Sequence, residues 1–208
     1  MSKGIGQYDL EYSNCPCFWG TAPGKYVKYI PDFIKSGNIL DLGAGEGKNS
    51  IYLAELGFKV TAVEISQYAI GNFNKRVETL NETVKTKLEM IHQDVLTFET
   101  ASKYDVVIAY GLLHCLPSIE AVETLAKKIK KWVKPNGIIV IVAFNDELMV
   151  PDVQNYLEPT LLPKSYFESM FSGFEILKYE NDIITETHPT SKIEHRHSLT
   201  RMIVRKKI

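Results

Sequence analysis

The 208-residue chain contains only three cysteines, Cys15, Cys17 and Cys115. That is too few for a disulfide framework in a chain of this size, so its stability must come from a packed core. No apolar stretch approaches the ~18 residues that span a bilayer. The opening Met1-Ser2-Lys3-Gly4-Ile5-Gly6 lacks the continuous apolar core of a secretory leader. The expected compartment is the cytoplasm, with no membrane partner. A formal net charge of −1 gives no electrostatic case for nucleic acid. Lys127-Lys128-Ile129-Lys130-Lys131 interleaves its charges with apolar positions at helical spacing, which marks a solvated helix face. There is no internal repeat and no low-complexity segment.

Hydrophobic residues make up 45% of the chain and charged residues 24%, enough for one substantial α/β domain with a short cap. Residues 1–36 form that cap, and 37–208 form the body of the same domain. The cap crowds Tyr8, Tyr12, Phe18, Trp19, Tyr26 and Tyr29 among Pro16, Gly20, Pro23, Gly24 and Pro31. This is too irregular for a strand and too apolar for a disordered tail. Two readings fit equally, short helices lying over a site or plain packing against the core.

From residue 37 the pattern becomes regular. Strands are predicted at Asn38–Leu42, Lys59–Ile65, Leu88–His92 and Tyr104–Tyr110, and the apolar character of the last two suits central strands buried on both faces. Helices are predicted over Lys48–Leu56, from Ser66 to near Thr83, and over Pro117–Lys134. Pro135-Asn136-Gly137 then ends the helix before the strand Ile138–Phe144. This alternation builds a three-layer, doubly wound α/β sheet. A short helix at Lys164–Phe171 is followed by Phe174–Tyr179, a polar loop and Ser198–Arg205. Two strands joined without a helix predict an antiparallel pair at the sheet edge.

The chemistry concentrates at Ile39-Leu40-Asp41-Leu42-Gly43-Ala44-Gly45-Glu46-Gly47-Lys48-Asn49. A strand ends in an acid and opens through three alternate glycines into a helix, so backbone can approach a ligand closely. A dinucleotide fingerprint would need its third glycine at Lys48. Glu64 ends the next strand about twenty residues on, where one carboxylate can accept from two ribose hydroxyls. Asp94 and Val95 follow the third strand, and Tyr110-Gly111 close the fourth on the same sheet edge.

With these residues in place, the chain resembles class I S-adenosylmethionine-dependent methyltransferases, whose mostly parallel seven-stranded sheet ends in an antiparallel hairpin. Glu46-Gly47-Lys48-Asn49-Ser50, Phe18-Trp19-Gly20 and the closing His195–Lys206 stretch narrow the likeness to the tellurite-resistance and thiopurine-type small-molecule enzymes. The resemblance implies S-adenosylmethionine as cofactor, with contacts from Tyr8, Asp41, Gly43, Ala44, Gly45, Asn49, Glu64, Ile65, Asp94, Val95, Tyr110 and Gly111. Asp94 would meet the adenine amino group, and Tyr110 and Gly111 the methionine part. It implies a small-molecule methyl acceptor, such as a metalloid oxyanion, thiol or amine, and a monomer or homodimer. The rival readings are a cofactor-binding regulatory module without catalysis and a nicotinamide-dependent dehydrogenase. The glycine spacing and the terminal hairpin count against the dehydrogenase.

His195 and His197 share one face of a strand and are candidate catalytic groups, with exposed hairpin histidines as the plainer alternative. His188 clusters with them in sequence, and the three could serve as ligands or bases. His114, in the loop after the fourth strand, either faces substrate or holds the loop as a core histidine, the second reading being preferred. Cys15-Pro16-Cys17 offers two thiols with no partner motif, so no metal centre is expected.

Overall fold

The computed structural model describes residues 5–150, 159–189 and 192–208. In chain order these contain α1 (Ile5–Asn14), a 3-10 turn at Val27–Tyr29, α2 (Ile30–Phe33), β1 (Asn38–Leu42) and α3 (Lys48–Glu55). Next come β2 (Lys59–Glu64), α4 (Gln67–Glu78), α5 (Glu82–Lys85), β3 (Leu88–His92) and β4 (Tyr104–Tyr110). A 3-10 turn at Leu113–Cys115, α6 (Ile119–Trp132), β5 (Val133–Phe144), α7 (Lys164–Met170), β6 (Glu175–Glu186) and β7 (His195–Arg205) complete the described chain. Among the described residues no helix is long and apolar enough to cross a membrane.

The sheet runs β3-β2-β1-β4-β5-β7-β6. Its first five strands are parallel, and β7 lies antiparallel between β5 and β6. Successive side chains of the central strands serve opposite cores, as the two-residue strand period requires. Val107 and Ala109 of β4 and Ile139 and Ile141 of β5 join the core under α6 and α7. Val106, Ile108, Ile138 and Val140 join the other core, beneath α3 and the segment Tyr26–Ile30. Strand order reverses where β1 sits between β2 and β4, and such a reversal opens a crevice at the carboxyl ends of the strands.

Several predicted boundaries shift. The helix from Ser66 stops at Glu78, because Asn81 leaves the helical conformation and caps a new turn by accepting from Val84 N–H. β3 is an edge strand rather than a central one, with Glu89 and His92 exposed. The helix over residues 117–134 ends at Trp132, and β5 starts at Val133, ahead of Pro135-Asn136-Gly137. Asn136 takes a left-handed φ of 61° there, and the β4–β5 register shifts between Tyr104 and Val106.

The terminal hairpin is longer than predicted at both strands. Cross-strand partners satisfy its polar residues: Thr200 Oγ1 donates to Asn181 Oδ1 at 2.7 Å, and Arg201 Nη1 donates to Asp182 at 2.9 Å. Asn181 and Asp182 fall in the predicted polar loop and become strand through these partners.

Candidate active site

A cavity of about 340 Å³ lies at the carboxyl ends of the parallel strands, partly covered by Tyr8 and Tyr12 of α1 and by Trp19. The glycine loop forms its floor. Gly43, Gly45 and Gly47 all hold left-handed φ values of 65°, 56° and 74°. The need for glycine is sharpest at two of them. A Cβ on Gly43 would stand 2.8 Å from the Leu112 side chain, and one on Gly47 would stand 2.2 Å from the Phe73 ring. Gly43 and Ala44 N–H both donate to Val63 C=O, at 2.9 and 3.1 Å, which ties the loop to the end of β2. α3 then begins at Lys48 with its N-terminus at the cavity.

All the predicted cofactor residues line this cavity except Asp41. Asp41 lies beneath the loop, 1% exposed, and accepts from Ser50 Oγ at 2.7 Å. Burial pushes its carboxyl up to about 7, with the Ser50 bond opposing the rise and the neighbouring Glu64 adding to it. The residue braces the glycine loop against α3 and is not on the cavity wall.

Glu64 is already engaged by the backbone. Its Oε1 accepts from Ile65 and Ser66 N–H, each at 2.9 Å, and its Oε2 accepts from Gly45 N–H at 2.8 Å. A carboxylate offers about four acceptor sites, so one remains for a ligand hydroxyl. Burial raises the Glu64 pKa, while these three backbone bonds work in the other direction. Asp94 accepts from Leu96 N–H at 2.8 Å through one oxygen and keeps acceptor capacity at the cavity edge.

Asn49 has a dual position. It lines the cavity and also accepts from Gly24 N–H at 2.9 Å, pinning the cap segment to α3. Tyr110 packs so closely over Gly24 that a Cβ there would stand 2.3 Å from its ring.

The residues that sequence reasoning did not single out are Tyr12, Glu46, Lys48, Glu186 and Arg201. Glu46 is buried and accepts from Cys17 N–H at 2.7 Å, Phe18 N–H at 2.9 Å and Asn72 Nδ2 at 2.9 Å. One side chain thus joins the glycine loop, the cap and α4. Arg201 is 6% exposed, and its Nε makes no hydrogen bond although Nη1 pairs with Asp182. It lines the cavity with Leu199, Ile184 and Glu186. The alternation of Leu199 and Arg201 is legible within the predicted Ser198–Arg205 strand, whereas Ile184 and Glu186 lie beyond the predicted end of β6 at Tyr179.

His114 lines the cavity and is buried. Its Nδ1 accepts from Phe144 N–H at 3.2 Å, and burial pushes its pKa down to about 3, so it is held neutral. His195 and His197 are not exposed hairpin histidines. They are 7% and 4% exposed and stand behind the cavity wall, where the His197 ring stacks on Phe144 with centroids 4.2 Å apart. Burial lowers the His197 pKa to about 4 and also lowers that of His188, which makes either a weak base at neutral pH. β7 begins at His195, and its first residues pair with β6 alone; the rings of Phe144 against His197 and of His188 against His195 help to bury them. Cys15 and Cys17 are free thiols that gather no third ligand among the described residues.

Known proteins resemble this chain in sequence and fold. The family model described as tellurite resistance protein TehB matches residues 21–203. The probable S-adenosyl-L-methionine-dependent methyltransferase TehB of Haemophilus influenzae is 28% identical over 177 residues, which cover 81% of this chain and 57% of that protein. The chain therefore spans a little over half the length of this curated relative. The crystal structure of TehB from Haemophilus influenzae superposes with a TM-score of 0.74 at 22% identity, over 96% of this chain and 67% of that one. The N-methyltransferase NodS from Bradyrhizobium japonicum, in complex with S-adenosyl-L-homocysteine, gives 0.74 at 13% identity over 98% of both chains. At such identities the two structures establish the fold, the seven-stranded class I methyltransferase architecture. The family match covers most of the chain, and the chain belongs to the TehB tellurite resistance family.

Proposed function

We propose that this chain is an S-adenosylmethionine-dependent methyltransferase acting on a small acceptor, with metalloid oxyanions such as tellurite, thiols and amines as the candidate classes. The observation that carries the reading is a cavity with two chemically different ends. One end is the glycine loop with Glu64 and Asp94, and the other holds Lys48, Phe144, Glu186 and Arg201.

The residues at the first end fit S-adenosylmethionine. Glycines 43 and 47 keep clear of Cβ atoms a loop that closes tightly on its neighbours. Glu64 retains an acceptor site for a ribose hydroxyl beside three fixed backbone donors. Asp94 can accept from an exocyclic amine. When bound, S-adenosylmethionine supplies an activated methyl group on a sulfonium, which a nucleophile takes in line. The chain's own contribution is alignment and exclusion of water. Holding two reactants in line can be worth ~7–11 kcal/mol. Tyr8, Tyr12 and Trp19 cover the cavity, and Trp19 Nε1 donates to Tyr12 Oη at 3.2 Å, which locks the two rings together. Arg201 presents a buried N–H without a hydrogen-bond partner, which favours an anionic or strongly accepting group at that end. No proton transfer is assigned to His195 or His197, because neither reaches the cavity wall.

Calorimetry with S-adenosylmethionine and S-adenosylhomocysteine, followed by transfer assays on tellurite, selenite, thiols and small amines, tests this. Binding followed by turnover of one acceptor class supports the reading. Tight binding without turnover of any acceptor points instead to a regulatory module, and no binding overturns both.

A further inference from the structure

The loop end of the terminal hairpin holds a cluster whose histidines have no assigned part in methyl transfer. Glu186 is the last residue of β6 and pairs with His195 across the ladder, so both side chains rise on one face. His197 follows two residues on and shares that face. His188, two residues beyond Glu186, turns back over them. Together they bring one carboxylate oxygen and three imidazole nitrogens within 4.8 Å of one another.

The distances are those of a coordination shell slightly expanded. His188 Nε2 and His195 Nε2 are 3.1 Å apart. Glu186 Oε1 lies 3.4 Å from His197 Nε2, 3.8 Å from His188 Nε2 and 3.9 Å from His195 Nε2. Four donors at ~2.0–2.1 Å around a tetrahedral ion stand about 3.3 Å from each other.

Two further observations point to an ion. His195 Nδ1 lies 2.8 Å from Ile193 C=O, a bond that puts the proton on Nδ1 and leaves the lone pair on Nε2, facing the cluster. Metal-bound histidines are oriented by such outer bonds. His197 Nε2 is buried, aimed at Glu186, and makes no hydrogen bond. An orphaned buried donor atom is costly, and coordination would satisfy it.

We propose that Glu186, His188, His195 and His197 form a binding site for one divalent transition-metal ion of the zinc, cobalt or nickel class. Imidazole and carboxylate donors in a four-coordinate arrangement suit these ions and not calcium or magnesium. Glu186 is the one member that also lines the cavity. The ion stands one carboxylate away from the acceptor end, where release of that ligand would open a position for a thiolate or oxyanion. The site itself does not depend on the methyltransferase reading.

The test uses tag-free, chelator-stripped full-length protein titrated with Co2+ in the absence of any other ligand. Four-coordinate cobalt gives intense visible bands that six-coordinate cobalt lacks. The expected result is one equivalent bound per chain with those bands, displaced by one equivalent of Zn2+. His195→Ala and His197→Ala should each weaken binding at least about 100-fold, while His92→Ala, outside the cluster, leaves it unchanged. Glu186→Gln keeps the shape of the side chain and should weaken binding without loss of the melting transition. Failure of the wild-type protein to bind one equivalent, weak six-coordinate spectra, or unchanged binding in folded Glu186→Gln and His197→Ala proteins would each overturn the site.

Discussion

Replacing Glu64 perturbs two things at once, and the structure sets their sizes. The carboxylate accepts from Gly45, Ile65 and Ser66 N–H at 2.8–2.9 Å, so it fastens the glycine loop to the start of α4. Glu64→Ala removes three charge-assisted bonds, each worth ~1.5–3 kcal/mol when its partners stay dry. The freed amides border the cavity and can take water, so the net loss falls to about 2–4 kcal/mol. For a chain of this size each kcal/mol moves the melting point by ~2–4 °C, giving an expected fall of roughly 4–16 °C. Affinity for S-adenosylmethionine should drop about ten- to a hundredfold with loss of the hydroxyl acceptor. Glu64→Gln separates the effects. It keeps Oε1 for Ile65 and Ser66 but turns an amide N–H2 against Gly45 N–H. It should therefore melt closer to wild type than Ala while losing similar affinity. Differential scanning calorimetry of the ligand-free proteins and titration calorimetry with the cofactor read the two quantities. An Ala variant that melts with wild type and binds equally would refute the reasoning for the fold and for the site.

The glycine loop predicts a contrast. Gly47→Ala combines a left-handed φ of 74° with a Cβ placed 2.2 Å from Phe73, whereas Gly57→Ala has a φ of 101° and open space. Urea denaturation should show a loss of about 2–5 kcal/mol at residue 47 and nearer 1–2 at residue 57. Equal losses would remove the steric argument. Glu46→Gln should cost about 1–3 kcal/mol by setting its NH2 against either the Phe18 donor or the Cys17 and Asn72 donors. Limited proteolysis should then cut the cap segment faster than in wild type. Asp41 carries the pH prediction. Its native pKa of about 7 exceeds the ordinary 3.8, so the folded chain keeps a proton that the unfolded chain has lost between those values. Its contribution therefore falls as pH rises through that window, by on the order of 4 kcal/mol in all. Asp41→Asn preserves an acceptor for Ser50 without the charge. Its stability relative to wild type should rise by about 2–3 kcal/mol between pH 5 and pH 8, and parallel pH profiles would count against the assignment.

Features that rest on neighbours in the chain are legible in the amino-acid sequence. The alternation of Val106, Val107, Ile108 and Ala109 committed β4 to serve two cores, because side chains on a strand alternate faces whatever surrounds them. Glycines at 43, 45 and 47 made a tight strand-to-helix turn legible, because left-handed backbone there strongly favours glycine. Directly joined terminal strands signalled an antiparallel pair for a similar local reason. Features that depend on distant partners emerge only when the chain is folded. Glu46 looks like a loop acid until Cys17 and Phe18, more than twenty residues away, donate into it. Asn181 and Asp182 read as loop until Thr200 and Arg201 donate into them across the hairpin, and β6 then runs on to Glu186, opposite the buried His195. Burial also decided charge. Asp41 and His114 have ordinary titration as free side chains, and the low-dielectric interior moves one up and the other down by penalising the ionised form. Local periodicity encodes which way a side chain points, but the cost of a charge depends on what the rest of the chain packs around it.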